Sequence, residues 1–112
     1  MSTQFGRMTG GTNTAVAAAG NSQATGTALT NGVNIVATST ATSADCVVLP
    51  GDRSLGELLW VVNKTANALN VYPSTGGAIN GGSANAAKAL AANMGGLYIS
   101  LGSGNWGAVL SA

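Results

Sequence analysis

The chain has 112 residues, of which 6% are charged, with four Lys or Arg against three Asp or Glu and a formal charge of +1. Ordinary domains carry roughly a quarter charged residues, so this surface is either covered by neighbours or neutral and polar. Scattered cations give no track for phosphates, which argues against nucleic-acid binding and an electrostatic membrane anchor. With no histidine and one cysteine, the chain can build neither an intrachain disulfide nor a multi-thiolate metal site.

Residues 1–21, MSTQFGRMTGGTNTAVAAAGN, are small and polar with little period. They read as an extended N-terminal arm, with Phe5, Arg7 and Met8 as candidate contacts to a partner protein. The opening lacks a charged segment followed by an apolar one, so the expectation is synthesis in the cytoplasm of a host cell. No apolar run is long enough to cross a bilayer.

Residues 22–112 read as one folded domain. Gln23 to Leu29 and Val33 to Thr38 flank the turn pair Asn31–Gly32, which predicts a first hairpin. Asp45 to Leu49 is a short buried strand stopped by Pro50–Gly51, in which Cys46 serves as a small core hydrophobe. The run Glu57 to Pro73, ELLWVVNKTANALNVYP, holds the centre of the pattern. Its two β-branched and aromatic halves, separated by Lys64–Asn67, predict a second hairpin with a four-residue loop. In the first half Leu58, Trp60 and Val62 share one face and Leu59 and Val61 the other. Both faces are apolar, so the strand is buried on both sides or lies against another subunit. The core is expected to hold Leu58, Trp60 and Val62 with Leu69 and Val71, leaving Leu59, Val61 and Tyr72 for an interface.

Residues 85–94, NAAKALAANM, combine helix-favouring composition with flanking glycines and read as a strand. Gly96 to Leu101 and Asn105 to Leu110 predict a third hairpin across Gly102–Gly104, with Leu97, Ile99 and Leu101 facing in and Trp106 packing from the partner strand. About eight short strands at roughly ten-residue spacing predict an all-β domain, a β-sandwich or jelly-roll-like barrel.

No constellation for bond-making chemistry emerges. Asp52 and Glu57 are the only pair of acids near one loop, and an exposed loop acid is far more often a solvated charge. A nucleophilic serine has no imidazole to serve as base. The glycine pairs Gly76–Gly77 and Gly81–Gly82 lack the lysine and hydroxyl of a phosphate loop. Asn63–Lys64–Thr65 matches the N-glycosylation pattern, expected to be a chance match. Trp60, Tyr72 and Trp106 could form a stacking platform for sugars or bases, but in so small a domain with few other aromatics they read as core or subunit-interface anchors. The expectation is a protein without catalytic residues, cofactor, metal or small-molecule substrate.

The order from Val61 to Trp106 resembles a module of tailed-bacteriophage virion structural proteins. Asn63, Ala66–Leu69, Val71–Pro73, Gly77, Ile79–Gly81 and Gly102–Trp106 carry the likeness, and the preceding strands ending in Val48–Leu49–Pro50 extend it over residues 22–110. The resemblance implies a capsid decoration (cement) protein, located on the virion capsid surface and bound to the major capsid protein. It also implies self-association as a homodimer or homotrimer, with no nucleic acid or membrane partner. A tail, neck or fibre-base component is the alternative within that class, and a carbohydrate-binding module the alternative outside it.

Overall fold

The computed structural model describes residues 11–40 and 45–111. They form nine strands and no helix: β1 (Thr12–Ala17), β2 (Thr27–Ala28), β3 (Val33–Thr38), β4 (Cys46–Val48), β5 (Leu58–Asn63), β6 (Leu69–Tyr72), β7 (Lys88–Leu90), β8 (Gly95–Gly102) and β9 (Asn105–Leu110). The chain is therefore all-β, as the sequence predicts. The strands divide into a five-stranded sheet in the order β1-β3-β5-β8-β9 and a four-stranded sheet in the order β2-β4-β6-β7.

The winding differs from the expected succession of hairpins. From β1 to β6 each strand enters the opposite sheet from its predecessor and pairs in parallel with the strand two places earlier. Thr12 lies beside Val33 and Val33 beside Trp60 in one sheet; Thr27 lies beside Val47 and Val47 beside Val71 in the other. The first six strands thus coil like a flattened solenoid. Only β7, β8 and β9 pair antiparallel, closing the coil. A jelly roll is built from antiparallel Greek keys, so of the two expected architectures, sandwich and jelly-roll-like barrel, the barrel is not formed: nine strands divide between two separate mixed sheets.

The first two expected hairpins are arches between sheets. A two-residue hairpin turn needs positive φ at its centre, which Asn31–Gly32 does not have; across Lys64–Asn67 the chain passes from β5 in one sheet to β6 in the other. The third hairpin forms as expected, because Ser103 (φ 55°) and Gly104 (φ 80°) supply that geometry between Gly102 and Asn105. Residues 85–94 contain the expected strand, confined to β7, where Leu90 pairs with Leu69. The segment read as an arm contributes β1, whose Val16 joins the core along with the adjacent Ala18; Phe5, Arg7 and Met8 lie outside the described residues.

Side-chain tying replaces turn geometry at the β5–β6 arch. The fully buried Asn63 side chain donates through Nδ2 to the carbonyls of Asn67 (2.8 Å), Leu90 (3.3 Å) and Ala91 (3.2 Å). Its Oδ1 accepts from the Thr65 N–H (3.0 Å) and hydroxyl (2.7 Å). Asn67 reaches the preceding turn of the coil by donating to Ser39 Oγ (3.2 Å). One amide thereby satisfies carbonyls and an N–H that the arch would otherwise leave buried and unpaired.

The two sheets enclose one core. Val36, Leu59 and Val61 meet Val47, Leu69, Val71 and Leu90 across it, and each such fully buried side chain contributes about 1.5–3 kcal/mol. Leu69, Val71 and Trp106 lie inside, where the sequence reading places them. The facing of β5 and β8 is opposite to the expected one. Leu59, Val61 and Tyr98 are buried, while Leu58, Val62, Leu97 and Ile99 are half-buried on the outer side and Trp60 is 37% exposed. The cause is the room that small residues leave: Tyr98 stands opposite Ala108 and two residues from Gly96. A Cβ at Gly96 would come within 2.9 Å of the Tyr98 ring. Inward Tyr98 fixes the alternation of β8, and the pairing of Leu59 with Tyr98 carries that facing into β5.

Candidate interaction surface

Strand register turns the second apolar face of β5 into a broad surface. One row runs Val33, Trp60, Leu97, Val109 straight across β3, β5, β8 and β9. On one side of it Leu58 sits beside Ile99, and on the other Ile35 sits beside Val62. Trp60 occupies the middle strand of the sheet, and Val109 is 65% exposed. At one end the exposed Leu101 extends the apolar ground.

None of the outward positions of β3, β5, β8 or β9 is charged. Asp45 is buried at the coil's end, where its carboxylate accepts from the N–H and hydroxyl of Thr40. Arg53 donates through Nη2 to the Thr30 carbonyl (2.8 Å), and its Nε lies 3.8 Å from Asp52. Glu57 turns back to accept from the Ser54 N–H, and Lys88 belongs to the other sheet. The strands of the outer face are therefore neutral as well as apolar, and the exposed Lys64, whose N–H donates to the Val36 carbonyl (3.0 Å), puts one cation at the end of β5.

The β9 edge of that sheet is occupied, and the β1 edge is irregular. Along β9, the Trp106 N–H donates to the Ala78 carbonyl (2.9 Å) and the Asn80 N–H to the Trp106 carbonyl (2.8 Å). The Asn80 side chain continues as a backbone mimic, accepting from the Ala108 N–H (2.8 Å) and donating to the Ala108 carbonyl (3.2 Å). Along β1 the register slips between Asn13 and Val16, and Asn13 Oδ1 accepts the Ala15 N–H (3.0 Å). Bulging and side-chain capping are the standard protections of a sheet edge.

Two open clefts flank the sheets. One, of about 340 Å³, lies between Ala78, Gly81, Leu101 and Asn105, with Trp106 at its margin. The other, of about 450 Å³, runs from Ala28–Thr30 to Pro50–Arg53. Neither brings a nucleophile to a base. Asp52 and Glu57 are engaged with different partners, so the acid pair does not form a common site. Among the described residues no three potential metal ligands cluster, and no helix is long and apolar enough to cross a membrane. Burial, and secondarily the Asp45 charge, push the Cys46 thiol up from its ordinary range. A protonated, buried thiol is a poor nucleophile.

Trp60, Tyr72 and Trp106 do not converge. Trp60 faces outward on the five-stranded sheet, Trp106 is enclosed, and Tyr72 is half-buried on the other sheet. Asn63 of the glycosylation pattern has no exposed surface. Of the six residues expected at an interface, Leu59 and Val61 lie in the core, while the outward set contains residues the sequence reading assigned to the core. The signal for the true facing was the pair of small residues, Gly96 and Ala108, that make space for Tyr98. No family profile matches the chain, and neither a curated protein nor a solved structure matches it.

Proposed function

We propose that this chain is a non-catalytic virion structural protein of the capsid decoration type. In this reading it binds the outer surface of a head shell and bridges adjacent major capsid protein subunits, and it acts as a homo-oligomer. The observation that carries the reading is the neutral apolar face centred on Trp60, a surface whose chemistry suits burial against protein. The residue pattern from Asn63 to Trp106 adds the resemblance to phage structural modules. The mechanism is mechanical: added contact area resists separation of shell subunits under internal pressure, and several copies of one oligomer reinforce each other through avidity. Of the sandwich and jelly-roll architectures that the strand spacing predicts, the two-sheet core is the nearer match to a sandwich.

The test is quantitative mass spectrometry of purified particles, together with heating of particles that lack the protein. The expected outcome is a copy number comparable to that of the shell subunit and a lower disruption temperature without the protein. A copy number of a dozen or fewer would move the protein to the tail, neck or fibre base. Absence from particles would overturn the proposal. The carbohydrate-binding alternative has less support, because Trp60, Tyr72 and Trp106 share no platform.

A further inference from the structure

The five-stranded sheet restricts how it can be covered. Its edges are capped by Asn80 and by the β1 irregularity, so a partner that adds a strand finds few free backbone groups. Covering must therefore come face-on. A charged partner would leave its own charges desolvated and unpaired against strands that carry none, the nearest cation being Lys64 at the end of β5. An equally neutral and apolar sheet is the complementary surface, and the chain itself carries one.

We propose that the outer face of the five-stranded sheet packs against the same face of a second copy, forming a two-fold symmetric dimer. Trp60 lies on the middle strand, so a two-fold axis near it sets the two indoles together at the centre, with Val33 and Leu97 flanking each. In such an isologous contact every residue meets the same patch on its partner. The apolar part spans four strands and six residues, about 19 Å by 20 Å or about 380 Å². The exposed and mainly polar β1 widens it to about 480 Å² and supplies a rim. Two such faces bury about 960 Å², near the ~1,000 Å² at which specific interfaces begin. The dimer is accordingly expected to dissociate in the micromolar range, on the order of 1–100 µM.

This inference rests on the face being an association surface, but it requires no virus particle. Its failure is thus separable from failure of the virion proposal. The experiment is sedimentation equilibrium of the full chain between about 1 and 300 µM. A monomer–dimer equilibrium is expected, with a constant that changes less than about threefold between 0.05 and 0.5 M salt, because no charges are paired across it. Trp60→Glu should weaken it by about thirtyfold or more, as loss of a central aromatic anchor does. Val109→Lys, at an exposed position on the same row, should weaken it in the same direction without touching the core. Ala89→Lys, exposed on the other sheet, should leave it unchanged. Circular dichroism confirms that each variant is folded. Should Trp60→Glu not fold, Val109→Lys and Ala89→Lys decide. A wild-type monomer throughout this range would overturn the inference, as would a dimer indifferent to Val109→Lys or broken by Ala89→Lys. A monomer that instead binds a different protein through Trp60 would overturn it equally.

Discussion

Tyr98→Phe should make the protein more stable. The Tyr98 side chain is fully buried, and among the described residues its hydroxyl has no hydrogen-bond partner. An unpaired buried hydroxyl costs about 1–3 kcal/mol. Phenylalanine keeps the ring in the recess left by Gly96 and Ala108 and removes only the oxygen. The resulting void is on the order of 10–15 Å³, worth roughly 0.3 kcal/mol at ~24 cal/mol per Å³. The net gain is about 1–2 kcal/mol, or a Tm rise of about 5 °C or more in a domain of this size. Urea unfolding should show a higher midpoint with an unchanged slope. Burial also pushes the Tyr98 ionisation upward. A group whose folded pKa is raised adds stability that is intact below its unfolded value, about pH 10 for tyrosine, and lost as pH climbs beyond it. The alkaline decline of the wild type should therefore be shallower in Tyr98→Phe. Destabilisation by 1 kcal/mol or more would refute the reasoning, since it would mean that the hydroxyl holds a bound partner such as an internal water.

Three further substitutions probe the coil and its packing. Asn63→Asp removes every donation to Asn67, Leu90 and Ala91 and buries a charge, so at neutral pH it should cost about 3 kcal/mol or more. Part of that loss should return on acidification, when the carboxyl is neutral, which urea midpoints at two pH values would reveal. At Gly77 a Cβ would lie 2.0 Å from the Gly104 carbonyl oxygen, so Gly77→Ala should cost about 2–3 kcal/mol by forcing the loop off the β8–β9 turn. Thermal unfolding measures it, and a neutral result would show that the two turns do not approach so closely. Cys46, fully buried with its ionisation pushed up, should resist alkylation in the folded protein and react at the rate of a model thiol in denaturant. Rapid native labelling would contradict the packing around β4.

The strands were legible in the sequence because β-branched runs and turn residues carry local information. The hairpin at Ser103–Gly104 could be read for the same reason: its residues supply the positive φ that its turn requires. The arches could not. Lys64–Asn67 has the polarity of a hairpin loop, and what sends the chain to the opposite sheet is the buried Asn63 side chain binding carbonyls up to 28 residues away. Parallel pairing between residues 20 to 27 positions apart leaves no local trace either. The facing of β5 illustrates a different limit. Its two faces are equally apolar, so hydrophobicity alone could not choose between them, and the choice was made on β8 by the space beside Tyr98. The sequence did contain the more useful fact that such a strand has one apolar face to spare.

The account turns on that spare face being covered by protein when the molecule works. Hydroxyl-radical footprinting of Trp60 tests this most directly, comparing dilute protein with concentrated protein and with particles that carry it. Trp60 oxidation is expected to fall steeply in the concentrated or particle-bound state, while Tyr72, half-buried on the other sheet, falls less. Trp60 oxidised at the same rate in all three states would contradict the account.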